Sequence, residues 1–323
     1  GWWSTSRWWR RWPVNCPTHH QSSGTALVAV IWLIAILGLA ALVTTRVVSF
    51  DMQVASAKIH GFRAKQLAEM GIAVGSNPAV KRTDPLLNRG DDETGEGFKV
   101  KILSEGARFN LNAILLRDDK ALLRSMFTDW GLDLDAAQSI SDAMSDWIDP
   151  DDELALNGAE KEWYEKEGRT NQPFNRPFYS LDEVRLVRGM DQVEAVKPDW
   201  RNWFTIWSSG GLDANEASAE LIAAAAEVTV DTADQVVEQV RGPDGIRDTE
   251  DDAPFKSVNE VLTLLGVDTK VRPDILQRFS VNDTTVRVES IGSAEGAKRK
   301  IIVTLRNRTG RPAILERSEE VIP

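Results

Sequence analysis

Two segments of the chain concentrate carboxylate side chains at a spacing that could hold a metal ion. The first lies in a glycine-containing loop, and its candidate ligands are Asp244, Asp248, Asp251 and Asp252. A hard cation such as Ca²⁺ takes about six to eight oxygen ligands, and such a loop can supply several of them. The aspartate spacing of an EF-hand is missing, and Arg247 offsets part of the negative charge. The loop is therefore either a calcium site or a solvated acidic turn.

The second acidic cluster follows a predicted helix and consists of Asp149, Asp151 and Asp152. Carboxylates at the C-terminal end of a helix oppose its dipole, so a cation or the start of another helix should compensate them. We favour a turn in which Pro150 ends one helix and the aspartates cap the next, and we keep this cluster as the weaker metal candidate.

Catalytic patterns are missing from the sequence. The three histidines, His19, His20 and His60, all lie in the first sixty residues, and no Gly-x-Ser-x-Gly, P-loop or Gly-x-Gly-x-x-Gly segment occurs. Three asparagines could be mistaken for catalytic amides, but their positions favour helix caps or turns; they are Asn110, Asn112 and Asn215. We therefore expect a protein that is not an enzyme.

The elements that must position these residues combine two periods. Residues 98–103 alternate apolar and charged side chains, and residues 285–290 and 299–306 indicate an antiparallel pair of strands. Helical patterns fill most of the chain between them, at residues 115–130, 135–148, 161–167, 181–187, 218–227, 232–241 and 258–265. The order predicts an α+β fold in which a large helical domain is inserted into a small antiparallel sheet.

Composition limits the partners. The 323 residues carry a formal net charge of −11, and the part after residue 24 carries −14 because three arginines precede it. An acidic protein lacks the Lys/Arg excess that nonspecific nucleic-acid binding requires. Cys16 is the single cysteine, so the rest of the chain cannot form an internal disulfide.

An uncharged apolar run at residues 25–43 is long enough to cross a bilayer as a helix. The basic residues before it, Arg7, Arg10 and Arg11, predict a cytoplasmic N-terminus and a bulk outside the cytoplasm. A cleaved signal peptide is the competing interpretation, but its apolar region is shorter, at about 7–15 residues. Helical spacing also continues past the run, which predicts one helix over residues 26–74.

Several motifs, taken in order, resemble the family of minor pseudopilin K of the type II secretion system, also called general secretion pathway protein K. The motifs are Gly24 before the apolar run, Arg108–Asn112, Asp142–Asp152, Gly158–Glu160, Trp163–Tyr164, Pro173–Phe178, Ser180–Val184, Val187–Met190 and Phe204–Gly211. Each is weak alone, while their order and spacing from residue 24 to about residue 305 are specific.

The resemblance implies cleavage by a prepilin peptidase after Gly24 and N-methylation of Thr25. Most pseudopilins have Glu at the fifth mature position, where this chain has Ala29. A buried unpaired carboxylate is costly, so its absence fits a subunit with no neighbour above it at the pseudopilus tip. The implied partners are the minor pseudopilins I and J, with H as a further candidate, and the implied location is the inner membrane with the bulk in the periplasm.

On this basis the chain divides into six expected segments. They are a leader (1–24), a transmembrane segment (25–43), the stalk helix with the first strand (44–107), the inserted helical domain (108–200), a strand with a second helical subdomain and the acidic loop (201–277), and C-terminal strands with a tail (278–323).

Two other functions remain as alternatives. Residues 181–190 and 257–267 resemble halves of a helix-hairpin-helix element, so a membrane-anchored DNA-uptake protein is the main alternative, although the acidic neighbours disfavour phosphate binding. Compact helical packing of the sterile-alpha-motif kind accounts for the same segments. A membrane-anchored periplasmic enzyme is the third hypothesis, and the sequence shows no recognisable set of nucleophile and base to support it.

Overall fold

The computed structural model describes residues 23–91 and 93–322. The chain divides after Lys58 into two units. The described part of the first unit belongs entirely to helix α1, Ser23–Ser76. This helix confirms the single long helix predicted over residues 26–74. The leader predicted before Ser23 lies outside the described residues.

The first unit exposes a continuous apolar surface. Side chains from Leu27 to Val43 are mostly more than half exposed, and Trp32 is 66% exposed. By length and composition, this helix can cross a membrane. Such a surface requires lipid or neighbouring helices to cover it.

In the second unit, the last turns of α1 pack on the sheet through small residues. Ala64 and Ala68 are fully buried, and Ile72 lies in the same cluster as Val288 and Ile301. A Cβ atom added to Gly71 would lie 2.1 Å from Oγ of Ser290 in the sheet. Small side chains therefore set the close approach of the helix to the strands.

The C-terminal end of α1 is capped by a distant arginine. Pro78 cannot continue the helix, and the buried Arg308 donates hydrogen bonds to the carbonyl oxygens of Gly75, Asn77 and Val80 at 2.7, 2.8 and 2.6 Å. A cation at this end also complements the helix dipole.

The sheet contains five antiparallel strands in the order β1-β2-β7-β8-β9. Their bounds are β1 Asn88–Gly90, β2 Gly97–Ser104, β7 Thr285–Ala294, β8 Ala297–Arg306 and β9 Ala313–Ile322. The predicted strand at 98–103 and the predicted antiparallel pair are confirmed, since Phe98 pairs with Gly292 and Val288 pairs with Val303. The edge strand β9 was predicted only as part of a tail.

A block of helices lies between β2 and β7. Its elements are β3 Phe109–Asn110, α2 Leu111–Leu116, α3 Lys120–Asp129, α4 Leu134–Ile148, α5 Lys161–Lys166, α6 Leu181–Val184, α7 Met190–Val196, β4 Phe204–Thr205, β5 Leu212–Asp213, α8 Ala219–Ala226, α9 Val230–Arg241, α10 Val258–Leu264, α11 Pro273–Arg278 and β6 Phe279–Ser280. Short 3₁₀ turns occur at Pro85–Leu87, Glu105–Ala107 and Trp200–Asn202. The α+β fold with an inserted helical block is thus confirmed, while the finer division at residues 200 and 277 stays a proposal.

One predicted helix is wrong in its extent. Residues 115–130 form the end of α2 and all of α3, separated by a turn in which Asp118 has a φ of 56°. Asp119 then caps α3, because its side chain accepts a hydrogen bond from the backbone N–H of Leu122. Asp118 and Asp119 therefore separate two helices, although the apolar spacing of the sequence continues through both without a break.

Two short parallel ribbons hold the block together. Phe109 and Asn110 pair with Phe204 and Thr205, and Leu212 and Asp213 pair with Phe279 and Ser280. Each ribbon precedes a helix, so the segments that contain Asn110 and Asn215 have a similar local structure.

The asparagines in these segments differ in role from the prediction. Asn110 caps α2 as expected, by accepting from the backbone N–H of Ala113 at 3.0 Å. The side chain of Asn112 instead exchanges two hydrogen bonds with the backbone of Phe178, at 2.8 and 3.0 Å. Asn215 does the same with Phe255. Two of the three therefore join distant loops rather than cap a helix.

Candidate functional site

The most unusual polar site is an acidic pocket at the C-terminal end of α4. Asp142 and Asp146 are four residues apart, which places them on one face of the helix, and Asp149 directly follows the last helical residue. The helix begins at Leu134 and is capped by Asp133, whose side chain accepts from the backbone N–H of Ala136 at 2.7 Å. It ends before Pro150, because the residue preceding a proline is extended.

Glu160 completes this pocket from the loop that follows. It precedes α5, is 6% exposed, and lines a cavity of about 540 Å³. The charged lining of this cavity includes Asp152 and the cations Lys161, Lys166 and Arg188, but not the three aspartates of α4 and its C-terminal end. A Cβ atom on Gly158 would lie 1.9 Å from Oδ2 of Asp146, so only glycine fits where the loop passes over this carboxylate.

Two of the four carboxylates have clear partners. Asp142 forms an ion pair with Lys120 at 3.2 Å. Asp146 accepts from the backbone N–H of Ala155 at 3.2 Å. These contacts fix the inner carboxylates while leaving the outer pair without comparable support.

The outer pair carries buried oxygen atoms with unmet hydrogen-bonding capacity. Within the described part of the chain, both side-chain oxygens of Glu160 lack a hydrogen-bond partner, and so does Oδ1 of Asp149. Burial, followed by repulsion from Asp146 and Asp149, raises the pKa of Glu160 to about 7. Burial, followed by repulsion from Asp151, raises the pKa of Asp149 to about 6. A bound cation would offset both the desolvation and the repulsion.

The chemistry of these ligands fits a hard cation. They are all oxygen atoms, which suit Ca²⁺ or Mg²⁺ rather than Zn²⁺. Within the described ranges, no three His, Cys, Asp or Glu side chains already form a metal-binding group. Coordination would therefore require Asp149 and Glu160 to move toward the ion, together with backbone or water ligands.

The members of the cluster predicted at residues 149–152 make different contacts. Asp152 lines the cavity beside Glu160 and accepts from the side chain of Asn175 at 3.2 Å, whereas Asp151 accepts from the backbone N–H of Glu153 at 2.9 Å. The carboxylate of Asp149 is close enough to Glu160 to contribute to its raised pKa. The sequence prediction missed Asp146 and Glu160. The spacing of Asp142, Asp146 and Asp149 is the signal that points to the first of them, while no sequence signal places Glu160 beside α4.

The loop at residues 244–252 brings its candidate ligands together, but their carboxylates already accept hydrogen bonds from backbone N–H groups of the same loop. Asp251 accepts from the N–H of Asp244 at 3.0 Å, and Asp252 accepts from that of Asp248 at 2.8 Å. The side chain of Asp244 accepts from the N–H of Ile246 at 2.7 Å. These bonds close the loop without an ion, so calcium binding here stays a prediction.

Neighbouring arginines neutralise part of this loop. Arg82 lies 2.8 Å from Glu216 and 3.9 Å from Asp248, and Arg247 lies 3.3 Å from the same Glu216. A hydrogen bond from Thr249 is the main cause that lowers the pKa of Asp251. Compared with this loop, the pocket at Glu160 has the stronger electrostatic need for a cation.

The predicted processing residues lie at the start of α1. Gly24 and Thr25 are in its first turn, and Ala29 follows one turn later with its side chain exposed. Cleavage and methylation at these positions stay predictions.

Comparison with known proteins supports the resemblance. Residues 107–198 match the family model described as type II secretion system (T2SS), protein K. This range contains α4, Asp149 and Glu160. A curated relative, type II secretion system protein K of Klebsiella pneumoniae, is 28% identical over 196 residues, and the match covers 54% of this chain. The match spans 60% of the length of that relative.

A solved structure shows the same fold. It is described as the crystal structure of the GspK-GspI-GspJ complex from the enterotoxigenic Escherichia coli type 2 secretion system. The similarity covers 84% of this chain and 99% of that chain, with a TM-score of 0.57 and 14% sequence identity. The family model and the curated relative therefore confirm the resemblance to protein K that the sequence motifs indicate, and the solved structure supports the fold.

Proposed function

We propose that this protein, which is similar to protein K of the type II secretion system, is a non-catalytic minor pseudopilin. Its place would be the tip of the pseudopilus, where it would start assembly and support protein export across the outer membrane. The single observation that carries the proposal is α1. The part of α1 that belongs to the first unit exposes an apolar surface, whereas the last turns of the helix are buried against a sheet.

The first half of α1 supports membrane anchoring and helix bundling. Small residues occur along it at Ala26, Ala29, Ala35, Gly38, Ala40 and Ala41, and small side chains let helices approach closely in lipid. We propose a single span of the inner membrane with the N-terminus in the cytoplasm and the bulk in the periplasm. Processing after Gly24 and methylation of Thr25 belong to the same proposal.

The second unit supports a position at the tip. The helical block is inserted between β2 and β7, so it adds bulk to a sheet of only five strands. No carboxylate is present at Ala29 to pair with the N-terminus of a further subunit. We therefore propose that the block covers the end of the fibre and prevents addition of another subunit above it.

The proposed partners are the minor pseudopilins I and J, because the similar solved chain is described in a complex with GspI and GspJ.

We further propose that the acidic pocket of Asp149 and Glu160 binds Ca²⁺ and stabilises the helical block. The orphaned buried oxygens of these two residues support that site.

Co-expression with I, J and a prepilin peptidase tests the assembly proposal. The three proteins should co-purify from detergent-solubilised membranes, and the mature chain should begin with N-methyl-threonine at Thr25. Gly38→Ile should lower recovery of I and J severalfold, because the larger side chain separates the helices. Leu37→Ile, which conserves size, should not.

Separate elution of wild-type protein from both I and J would contradict this function. So would release into the periplasm after cleavage beyond residue 43, which would make the apolar run a signal peptide.

A further inference from the structure

A groove in the second unit combines two tryptophans with acidic side chains. It lies between α3, α8 and the segment at residues 197–203, and it has a volume of about 940 Å³. Trp130 and Trp203 line it, are both partly exposed, and meet edge to face at a distance of 5.2 Å between ring centroids. Val228 and Val230 also line it, and Val230 is 48% exposed. The groove therefore offers accessible ring and apolar surface to a ligand.

Two of the four carboxylates that line the groove are neutralised within the protein. Of the described residues in the lining, only Lys197 is cationic, and it pairs with Asp199 at 3.0 Å. Glu227 pairs with Arg272 and with Arg278, each at 2.8 Å. A hydrogen bond from Arg272 is the main cause that lowers the pKa of Glu227 to about 2. These two carboxylates are therefore already matched by cations.

The other two carboxylates leave the groove with an excess of negative charge. Asp129 ends α3 and Glu220 lies in the first turn of α8, and both side chains are exposed. Neither has an ion pair within the part of the chain that the structure describes, and no Lys or Arg lies three or four positions from either of them. Asp129 also opposes the dipole at the C-terminal end of α3. A bound cation would offset both the excess charge and this unfavourable position.

The two tryptophans can contact both a cation and a hydrogen-bond acceptor. Nζ of Lys197 lies 5.5 Å from the ring centroid of Trp203, so a cation already contacts one of the rings. The indole N–H groups of Trp130 and Trp203 donate to no described residue, whereas a tryptophan N–H in a packed structure usually finds an acceptor. Three other tryptophans of the helical block each donate to a glutamate, namely Trp147, Trp200 and Trp207. The two indole N–H groups in the groove are therefore available to carbonyl oxygens of a ligand.

A polyproline II segment has the geometry to use all of these groups together. It has three residues per turn and no internal hydrogen bonds, so its side chains project in three directions and its carbonyl oxygens are free. One row of side chains can lie on the tryptophans while the other two rows point toward α3 and α8. A β-strand presents side chains in only two directions, so it cannot meet the rings and the acids of both helices at once.

We propose that this groove binds a basic, proline-containing segment of another protein in the polyproline II conformation. Its prolines would pack on Trp130 and Trp203, and the indole N–H groups would donate to its carbonyl oxygens. Its Arg or Lys side chains would pair with Asp129 and Glu220. Aromatic grooves recognise such segments because the bound conformation already exists before binding. This interaction surface goes beyond the assembly function proposed above.

Fluorescence anisotropy with the full chain in micelles of an uncharged detergent tests the proposal. The probe is a labelled peptide of three Pro-Arg-Arg repeats, which is about 28 Å long in the polyproline II conformation. It should bind at about 50 mM salt and more weakly at about 500 mM, since exposed charge pairs are screened. A peptide of three Gly-Arg-Arg repeats carries the same charge without the prolines. It should bind about fivefold more weakly or worse, because it lacks the ring contacts and must lose more conformational freedom.

The variants Asp129→Lys and Glu220→Lys should each weaken binding of the Pro-Arg-Arg peptide about fivefold or more, because charge reversal replaces attraction by repulsion. Trp203→Phe keeps an aromatic ring but removes the N–H, and it should weaken binding about threefold or more. Circular dichroism should show unchanged folding for all three variants. Glu238→Lys is the matched control, since it reverses an exposed carboxylate on α9 that does not line the groove, and it should leave the affinity unchanged.

Three outcomes would overturn the proposal. Equal affinity for the proline and glycine peptides would show that net charge alone attracts them. If Glu238→Lys weakens binding as much as Asp129→Lys and Glu220→Lys, the peptide does not bind in the groove. Absence of binding at about 50 mM salt would exclude a basic ligand. Because the assay contains neither I nor J, failure here is distinct from failure of the assembly test.

Discussion

Asn215 joins two segments of the helical block through the backbone of Phe255. Its side-chain oxygen accepts from the N–H of Phe255 at 2.8 Å, and its side-chain nitrogen donates to the carbonyl oxygen of the same residue at 3.0 Å. The nitrogen also donates to the carbonyl of Val281 at 2.9 Å. Asn112 repeats the reciprocal pair with Phe178. The two halves of the block thus use the same device to fix a loop.

Asn215→Ala should destabilise the second unit by about 1–3 kcal/mol, because it leaves buried backbone groups of Phe255 and Val281 without partners. Asn112→Ala should have a smaller effect in the same direction, since its site is only partly buried. Urea unfolding of the detergent-solubilised chain measures both. Asn259→Ala, at an exposed position on α10, should change stability by less than about 0.5 kcal/mol. Equal effects at Asn215 and Asn259 would contradict a stabilising role for the hydrogen bonds of Asn215 to Phe255 and Val281.

Arg278→Met should cost about 3–5 kcal/mol, because it removes one member of a buried ion network. The side chain is 2% exposed, contacts both oxygens of Asp119 at 2.6 and 2.9 Å, and contacts Glu227 at 2.8 Å. Arg272→Met is the matched control. Arg272 pairs with the same Glu227 at 2.8 Å but its side chain is 38% exposed, so its loss should cost less than about 1 kcal/mol. Similar unfolding midpoints for the two variants would refute the distinction.

Gly292→Ala should destabilise the contact between α1 and the sheet. An added Cβ atom would lie 2.0 Å from the carbonyl oxygen of Ala64 and 2.4 Å from the nitrogen of Ala68. Both are backbone atoms, so the helix must shift, at a cost of about 1–3 kcal/mol or more. Gly90→Ala, where no atom lies within 4 Å of the new Cβ, should be nearly neutral. Thermal unfolding followed by circular dichroism distinguishes them.

Asp213 should make stability depend on pH. Burial raises the pKa of its carboxyl group to about 6, compared with about 3.9 in an unfolded chain. Between these values the folded protein binds more protons, so the contribution of Asp213 is most favourable below about pH 4 and is lost as the pH rises through 6. The melting temperature of the wild type should therefore fall relative to that of Asp213→Asn between pH 4 and pH 7.

Glu238→Gln, which changes an exposed carboxylate on α9, is the control for this measurement. Its melting temperature should follow that of the wild type across the same range. A constant difference between the wild type and Asp213→Asn would show that the Asp213 carboxyl group does not titrate in this window.

Calcium should raise the melting temperature of the wild type at pH 8. A hundredfold excess over the Kd contributes about 2.7 kcal/mol, and Glu160→Gln should abolish the shift while Asp251→Asn retains it. Because the pKa of Glu160 is about 7 and metal ligands must be deprotonated, the shift should be smaller at pH 5. The reverse pattern in the two variants would assign calcium to the loop at residues 244–252.

The sequence alone was sufficient to predict the helices and strands that have a strong apolar period. The long helix and the β7–β8 pair follow from such periods, and both are confirmed. Strand β9 was missed because it is an edge strand whose residues are nearly all exposed. It is held by pairing with β8 and by ion pairs of Arg317 with Glu69 and of Glu319 with Lys65, which are contacts that a local pattern cannot reveal.

The acidic pocket shows the same limit. Asp149 was identified because it lies in a dense run of aspartates, but Glu160 stands alone among residues of mixed charge. Its burial and its proximity to Asp146 arise only when the loop over Gly158 folds back on α4. The loop at residues 244–252 drew more attention for its density of carboxylates, although its own backbone uses them.

The insertion of the helical block between β2 and β7 sets an order for folding. Ser104 pairs with Val286 at the point where the chain leaves and re-enters the sheet, so this ladder cannot close until nearly the whole block has brought its two ends together. Closing so long a loop is slow unless the intervening chain is already compact. The block should therefore fold early and the sheet late, and the packing of the end of α1 on the sheet should be completed last.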